Sequence, residues 1–187
     1  MGFKKYFGNF QSVSQQVQRD GYSILSLDEL MKRAVKFHDF EHELISCSAF
    51  LFNPLGSEVK ISQNFTNAYF LRPENFNKCS VQLNPKDYDS VHGKVLSLDE
   101  FNSSLGSMSV NDARNNVVLN SFASKDTLDG FLSLYNKYRG SEINVDFSLP
   151  KVDFFVFSAM PVGLNSDGFC KGMSRAPCSG KMYLAKK

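Results

Sequence analysis

Ser46-Cys47-Ser48-Ala49-Phe50-Leu51-Phe52-Asn53-Pro54-Leu55-Gly56-Ser57-Glu58-Val59-Lys60-Ile61-Ser62-Gln63 is the stretch that decides the fold class. An apolar run, Ser46–Phe52, has the length and β-formers of a buried strand. Asn53-Pro54-Leu55-Gly56 follows, with Pro at the second turn position and Gly at the fourth, as a type I turn prefers. Glu58–Gln63 then returns with Val59 and Ile61 alternating. The three pieces predict a β-hairpin, and a hairpin means antiparallel pairing.

Working backward, Ser26-Leu27-Asp28-Glu29 reads as a capping box. Leu27, Leu30, Met31, Ala34 and His38 keep helical spacing after it, with Lys32, Arg33 and Lys36 on the other face. A helix over about 26–43 is expected. Residues 1–21 are polar and Gln-rich after an aromatic-basic start (Phe3, Tyr6, Phe7, Phe10), and read as a flexible or docking arm with a short helix near 11–18.

Working forward, short strands are expected at Asn67–Arg72, Lys78–Leu83 and Lys94–Leu96. The last runs into a second capping box, Ser97-Leu98-Asp99-Glu100. The resemblance of residues 24–30 to 95–101 ends after seven positions, so it is one junction design used twice rather than a repeat. Ser109 caps a helix over about 110–122. A cleanly amphipathic helix over about 126–138 follows, closed by Lys137, Arg139 and Gly140. Glu142–Leu149 alternates as a half-buried strand, and Val152–Ser158 reads as a central strand covered on both faces. From Met160 the Gly, Ser and Pro content predicts loop, with one short strand at Lys181–Leu184. The expected fold is α+β: a mostly antiparallel mixed sheet with about three to four helices packed on it. The N-terminal arm (1–21) precedes a single domain (22–187), long enough to build a core without disulfides.

Composition narrows the function classes. Of 187 residues, 18 are Phe, 7 Tyr and none Trp, which predicts a Phe-rich core or interface. The net charge of +2 is too small for a dedicated duplex-DNA binder. No apolar run is long enough for a membrane-spanning helix. Residues 1–5 do not open a secretory signal, so Cys47, Cys79, Cys170 and Cys178 are expected as reduced thiols and the chain as cytoplasmic.

The sharpest chemical constellation is His38-Asp39-Phe40-Glu41-His42. On a continuous helix, His38 and His42 would share a face and could hold zinc with Cys170 and Cys178. Such a set would suit a small His/Cys-dependent hydrolase, with His92 as a third candidate base. Against it stand the absence of HExxH and CxxC spacing and the place of His38 in an apolar stripe, which favours packing. Phosphate-binding glycine loops are absent. The carboxylates of Asp28/Glu29 and Asp99/Glu100 sit at helix starts, where they serve caps.

Basic residues interleaved with aromatics mark both ends: Lys4, Lys5 and Tyr6 at one, Lys171, Arg175, Lys181 and Tyr183 at the other. That pattern suits single-stranded nucleic acid, phosphates meeting cations and bases stacking on rings. The preferred reading is a non-catalytic binding or assembly protein without a cofactor. It would act through a protein partner or self-association, with single-stranded nucleic acid as a further partner. The Ser-, Asn- and Phe-rich texture suggests a virus- or phage-encoded chain.

Overall fold

The computed structural model describes residues 3–39, 43–54, 56–65, 76–77, 80–147, 157–171 and 181–187. The fold is α+β. Twelve strands among these residues join one mixed sheet, mostly antiparallel, and seven helices pack around it.

The decisive hairpin forms as the sequence predicts. β3 (Leu44–Phe52) and β4 (Glu58–Ser62) pair antiparallel, Phe52 opposite Val59 and Phe50 opposite Ile61. The Gly56 N–H closes the turn by donating to the Asn53 carbonyl at 3.1 Å. Every residue of β3 is buried, because the sheet is covered on both faces. Leu44, Phe50 and Phe52 enter one core, and Ile45, Cys47, Ala49 and Leu51 enter the other.

The first core lies under α2 (Leu27–Phe37) and α7 (Lys125–Tyr138). Its centre is a chain of Phe rings: Phe50 lies 5.3 Å from Phe101 and 5.7 Å from Phe147, and Phe131 lies 5.4 Å from Phe169. Each such ring, fully buried, stabilises the fold by about 2–3 kcal/mol through removal of apolar surface from water.

The second core belongs to the chain's first residues. β1 (Lys4–Phe7) pairs antiparallel with β12 (Met182–Lys186), Lys4 opposite Ala185 and Phe7 opposite Met182. α1 (Phe10–Arg19), capped by Asn9, buries Phe10, Val13 and Val17 against the sheet. β2 (Ser23–Ile24) then also pairs with β12. The helix expected near 11–18 is present, but residues 4–24 are built into the domain rather than hanging from it as a flexible arm. Of the four aromatics that suggested docking, Tyr6 and Phe10 instead fill a core, both 3% exposed, whereas Phe3 and Phe7 stay exposed.

The remaining elements carry two further corrections. β5 (Phe76–Asn77) pairs β6 (Ser80–Gln82), and α3 (Pro85–Ser90) leads to β7 (Lys94–Ser97), the outer partner of β4. α4 (Leu98–Ser103) starts at the second capping box, and β8 (Gly106–Ser109) follows. The single helix expected over 110–122 is split into α5 (Val110–Ala113) and α6 (Leu119–Phe122). Asn116 divides them: its side-chain oxygen accepts the N–H groups of Val118 and Leu119, both at 3.0 Å, which restarts the helix.

β9 (Glu142–Asp146) alternates exposed and buried as predicted. The central strand is β10 (Ser158–Asn165), which falls where loop was expected. It pairs with β3, β6 and β11 (Gly168–Lys171), and is buried along its middle. Pro161 is tolerated there because the register shifts between Pro161 and Gly163, a bulge that relieves the missing donor. Gly163 is needed at that bulge: a Cβ would stand 2.3 Å from the Leu44 carbonyl oxygen. Parallel pairing is confined to β12 with β3 and β11 with β9. The strands expected at Asn67–Arg72 and over 152–156 lie outside the described residues. Among the described residues no helix is long and apolar enough to cross a membrane.

Candidate binding surfaces

The histidine pair expected on one helix face is not built that way. α2 ends at Phe37, and His38 is its C-cap, in the left-handed conformation at φ 54°. His38 is exposed, its ring 5.4 Å from that of Tyr138, so it neither continues the apolar stripe nor points into the core. His42 and Cys178 lie outside the described residues. Cys170 is buried in β11, and burial pushes its thiol up to about 12, with Glu43 adding to the shift. Cys47 is pushed up to about 12 for the same reason and donates to the Asn64 side-chain oxygen at 3.2 Å. Both thiols are therefore protonated at neutral pH and are poor nucleophiles. Among the described residues no three His, Cys, Asp or Glu side chains converge as metal ligands.

Part of the aromatic-basic set of the two ends comes together, Lys4, Lys5 and Tyr6 beside Tyr183, because β1 lies beside β12. Their side chains are largely spent on structure. Tyr6 is buried and its hydroxyl donates to Asp20 at 2.8 Å, an oxygen that also takes the Lys4 ammonium in an ion pair. Tyr183 is fully buried, its ring 6.1 Å from Phe10. Lys181 is nearly buried and pairs with Glu43 at 2.9 Å. Neither tyrosine offers a face on which a base could stack. Lys5 is exposed on β1 and pairs with no carboxylate among the described residues. Lys171 belongs to β11 by its backbone, its side chain lies outside the described residues, and so does Arg175.

What the pairing of the ends creates is a groove of about 260 Å³ between α2 and the adjoining Phe3 and Lys186. Its floor is Leu25, 1% exposed, and its apolar walls are Phe3 and Phe37. Phe3 is 43% and Phe37 53% exposed, unusual for large apolar residues in a protein with two filled cores. The rim is cationic: Lys32, Arg33, Lys36 and Lys186 line it with a single carboxylate, Glu29. Burial pushes the Glu29 carboxyl up, but its ion pair with Lys186 and the Ser26 N–H outweigh that and hold it below the usual glutamate range. Lys32 pairs with Asp28 at 2.7 Å and Arg33 with Asp39 at 2.8 Å. Arg33 lies over the Phe37 ring at 5.3 Å, and its Nε is buried without a hydrogen-bond partner. Lys36 also lies over Phe37, at 5.4 Å, and has no carboxylate partner among the described residues.

A second hollow of about 490 Å³ lies between the end of β4 and the start of β7, where His92 and Lys94 face Ser62, Gln63 and Ser121. It offers hydrogen-bonding groups, but among the described residues no carboxylate lines it to pair with His92.

The groove is not legible in the sequence. Lys32, Arg33 and Lys36 were legible as the polar face of a helix, but their neighbours Phe3 and Lys186 come from opposite ends of the chain. Only the nonlocal pairing of β1 with β12 brings them there.

No family model matches the chain, and no curated protein matches it. Among solved structures it is similar to one described as accommodation of massive sequence variation in Nanoarchaeota by the C-type lectin fold. The TM-score is 0.74 at 13% identity, with 99% of this chain and 98% of that chain covered. At that identity the likeness speaks for the fold alone: this chain shares the overall fold of that structure.

Proposed function

We propose that this chain is a non-catalytic binding protein whose closed frame holds outward side chains for recognition of a protein partner. The observation that carries the reading is the end-to-end likeness to a C-type lectin fold, together with an apolar, cation-rimmed groove walled by two exposed Phe rings. The similar structure is described as that fold accommodating massive sequence variation. A frame of that kind separates two jobs, with buried residues fixing the backbone and outer residues free to meet a ligand. The protonated, buried thiols of Cys47 and Cys170 fit a frame better than a reaction centre.

Single-stranded nucleic acid is the second reading. It is favoured by the pairing that sets Lys4 and Lys5 near Lys186 and Lys187. The burial of Tyr6 and Tyr183 removes its stacking platform, so a protein partner is preferred.

Affinity capture with the purified chain, followed by native mass spectrometry of the recovered complex, tests the reading. A stoichiometric complex with one protein is expected. Recovery of no partner, with a hydrolytic activity that Cys170→Ala or His38→Ala abolishes, would replace it with the enzyme alternative.

A further inference from the structure

We infer that the groove between α2 and Phe3, just before β1, is a docking site for an extended acidic-apolar segment of a partner protein, which adds as a strand to the open edge of β1. The inference rests on the binding reading above and names its site and its partner chemistry.

Among the described residues β1 pairs only with β12, so its outer edge presents backbone donors and acceptors to solvent. Such an edge is a template for another strand. Strand alternation sets Phe3, Lys5 and Phe7 on the side opposite the buried Tyr6, which is the α2 side where Phe3 meets the groove. A strand added there would stand its own side chains beside Phe3, which walls the groove with Phe37, and beside Phe7, which is 64% exposed. Apolar residues on it would cover these rings.

The charge decides who the occupant is. Lys36 on the groove's rim and Lys5 on β1 have no carboxylate partners among the described residues, while Lys186 and Arg33 on that rim are already paired with Glu29 and Asp39. A second copy of this chain pairing antiparallel about Lys5 would set Lys5 against its own counterpart, a like-charge contact. A segment carrying Asp or Glu between apolar residues meets cations instead. Phe37 lies over both Arg33 and Lys36, so an apolar side chain that packs on Phe37 is placed next to two cations.

Selection of a displayed random heptapeptide library on the immobilised full chain tests this. The expected consensus alternates aromatic or aliphatic residues with Asp or Glu. A synthetic consensus peptide should lose at least tenfold in affinity against Lys36→Glu and against Phe37→Ser. Both changes are at exposed positions, and an unchanged melting temperature verifies that the variants fold. Proline at the centre of the peptide should also abolish binding, since it removes a ladder donor. No acidic-apolar consensus, or equal affinity for wild type and both variants, overturns the inference. So does concentration-dependent dimerisation that Phe37→Ser abolishes, which would make a second copy the occupant. Binding of oligo(dT) that Lys36→Glu abolishes, without peptide binding, would assign the groove to nucleic acid. A stoichiometric protein complex indifferent to Lys36→Glu and Phe37→Ser would leave the binding reading standing and remove this site alone.

Discussion

His38 shows how one backbone angle changes the meaning of a motif. Read on a continuous helix, His38 and His42 are an i, i+4 ligand pair. At φ 54° His38 ends the helix instead, in a region where a side chain is strained and glycine is at home. His38→Gly should therefore raise stability by about 0.5–1 kcal/mol, the relief of strain exceeding the lost contact with Tyr138. Urea unfolding of the two proteins measures this. A loss of more than about 1 kcal/mol would mean that the imidazole is a packing or ligating group after all. The helix stripe could not announce this end, because apolar spacing does not encode the φ of a residue. By contrast, Ser26 and Ser97 were legible as caps from four letters each. Both boxes close, with Ser26 accepting from the Glu29 N–H and Ser97 from the Glu100 N–H.

Elements whose partners are close in sequence were readable, and those held by distant partners were not. The β3–β4 hairpin, α7 and β9 follow from local pattern, turn chemistry and alternation. β10 did not, because Met160, Pro161 and Gly163 carry loop chemistry that is satisfied only by the bulge against β3. Nor did the role of residues 3–24. Their Gln-rich texture reads as solvated, yet Phe10, Val13 and Val17 supply one wall of the second core and β1 closes one flank of β12. Removing residues 1–21 should consequently abolish cooperative folding rather than yield a trimmed domain. Phe→Ala at a single such buried ring alone costs about 3–5 kcal/mol, and the whole wall exceeds the stability typical of a domain this size. Loss of a sigmoidal thermal transition and binding of a hydrophobic dye are expected. A truncated chain that melts cooperatively near the full-length temperature would restore the flexible arm.

For the whole molecule, the two ends meeting on β12 are what turn a set of elements into a frame. β12 is held on one flank by β1 and on the other by β3 and β2, so first and last residues secure each other. That closure also makes the groove, whose walls come from residue 3, residues 25–37 and residue 186. Composition had pointed to aromatic-basic ends, and the ends do converge, but the residues left for recognition are Phe3, Lys36 and Phe37 rather than Tyr6 and Tyr183. Recognition at the rim of a rigid frame has a direct signature in backbone hydrogen exchange. Exchange should be followed by mass spectrometry in the free chain and in complex with its captured partner. The account predicts slowed exchange over residues 3–7 and 29–37, with residues 44–52 of the central hairpin unchanged. Protection confined to residues 61–64 and 91–94 around His92, with β1 exchanging as it does in the free chain, would contradict it.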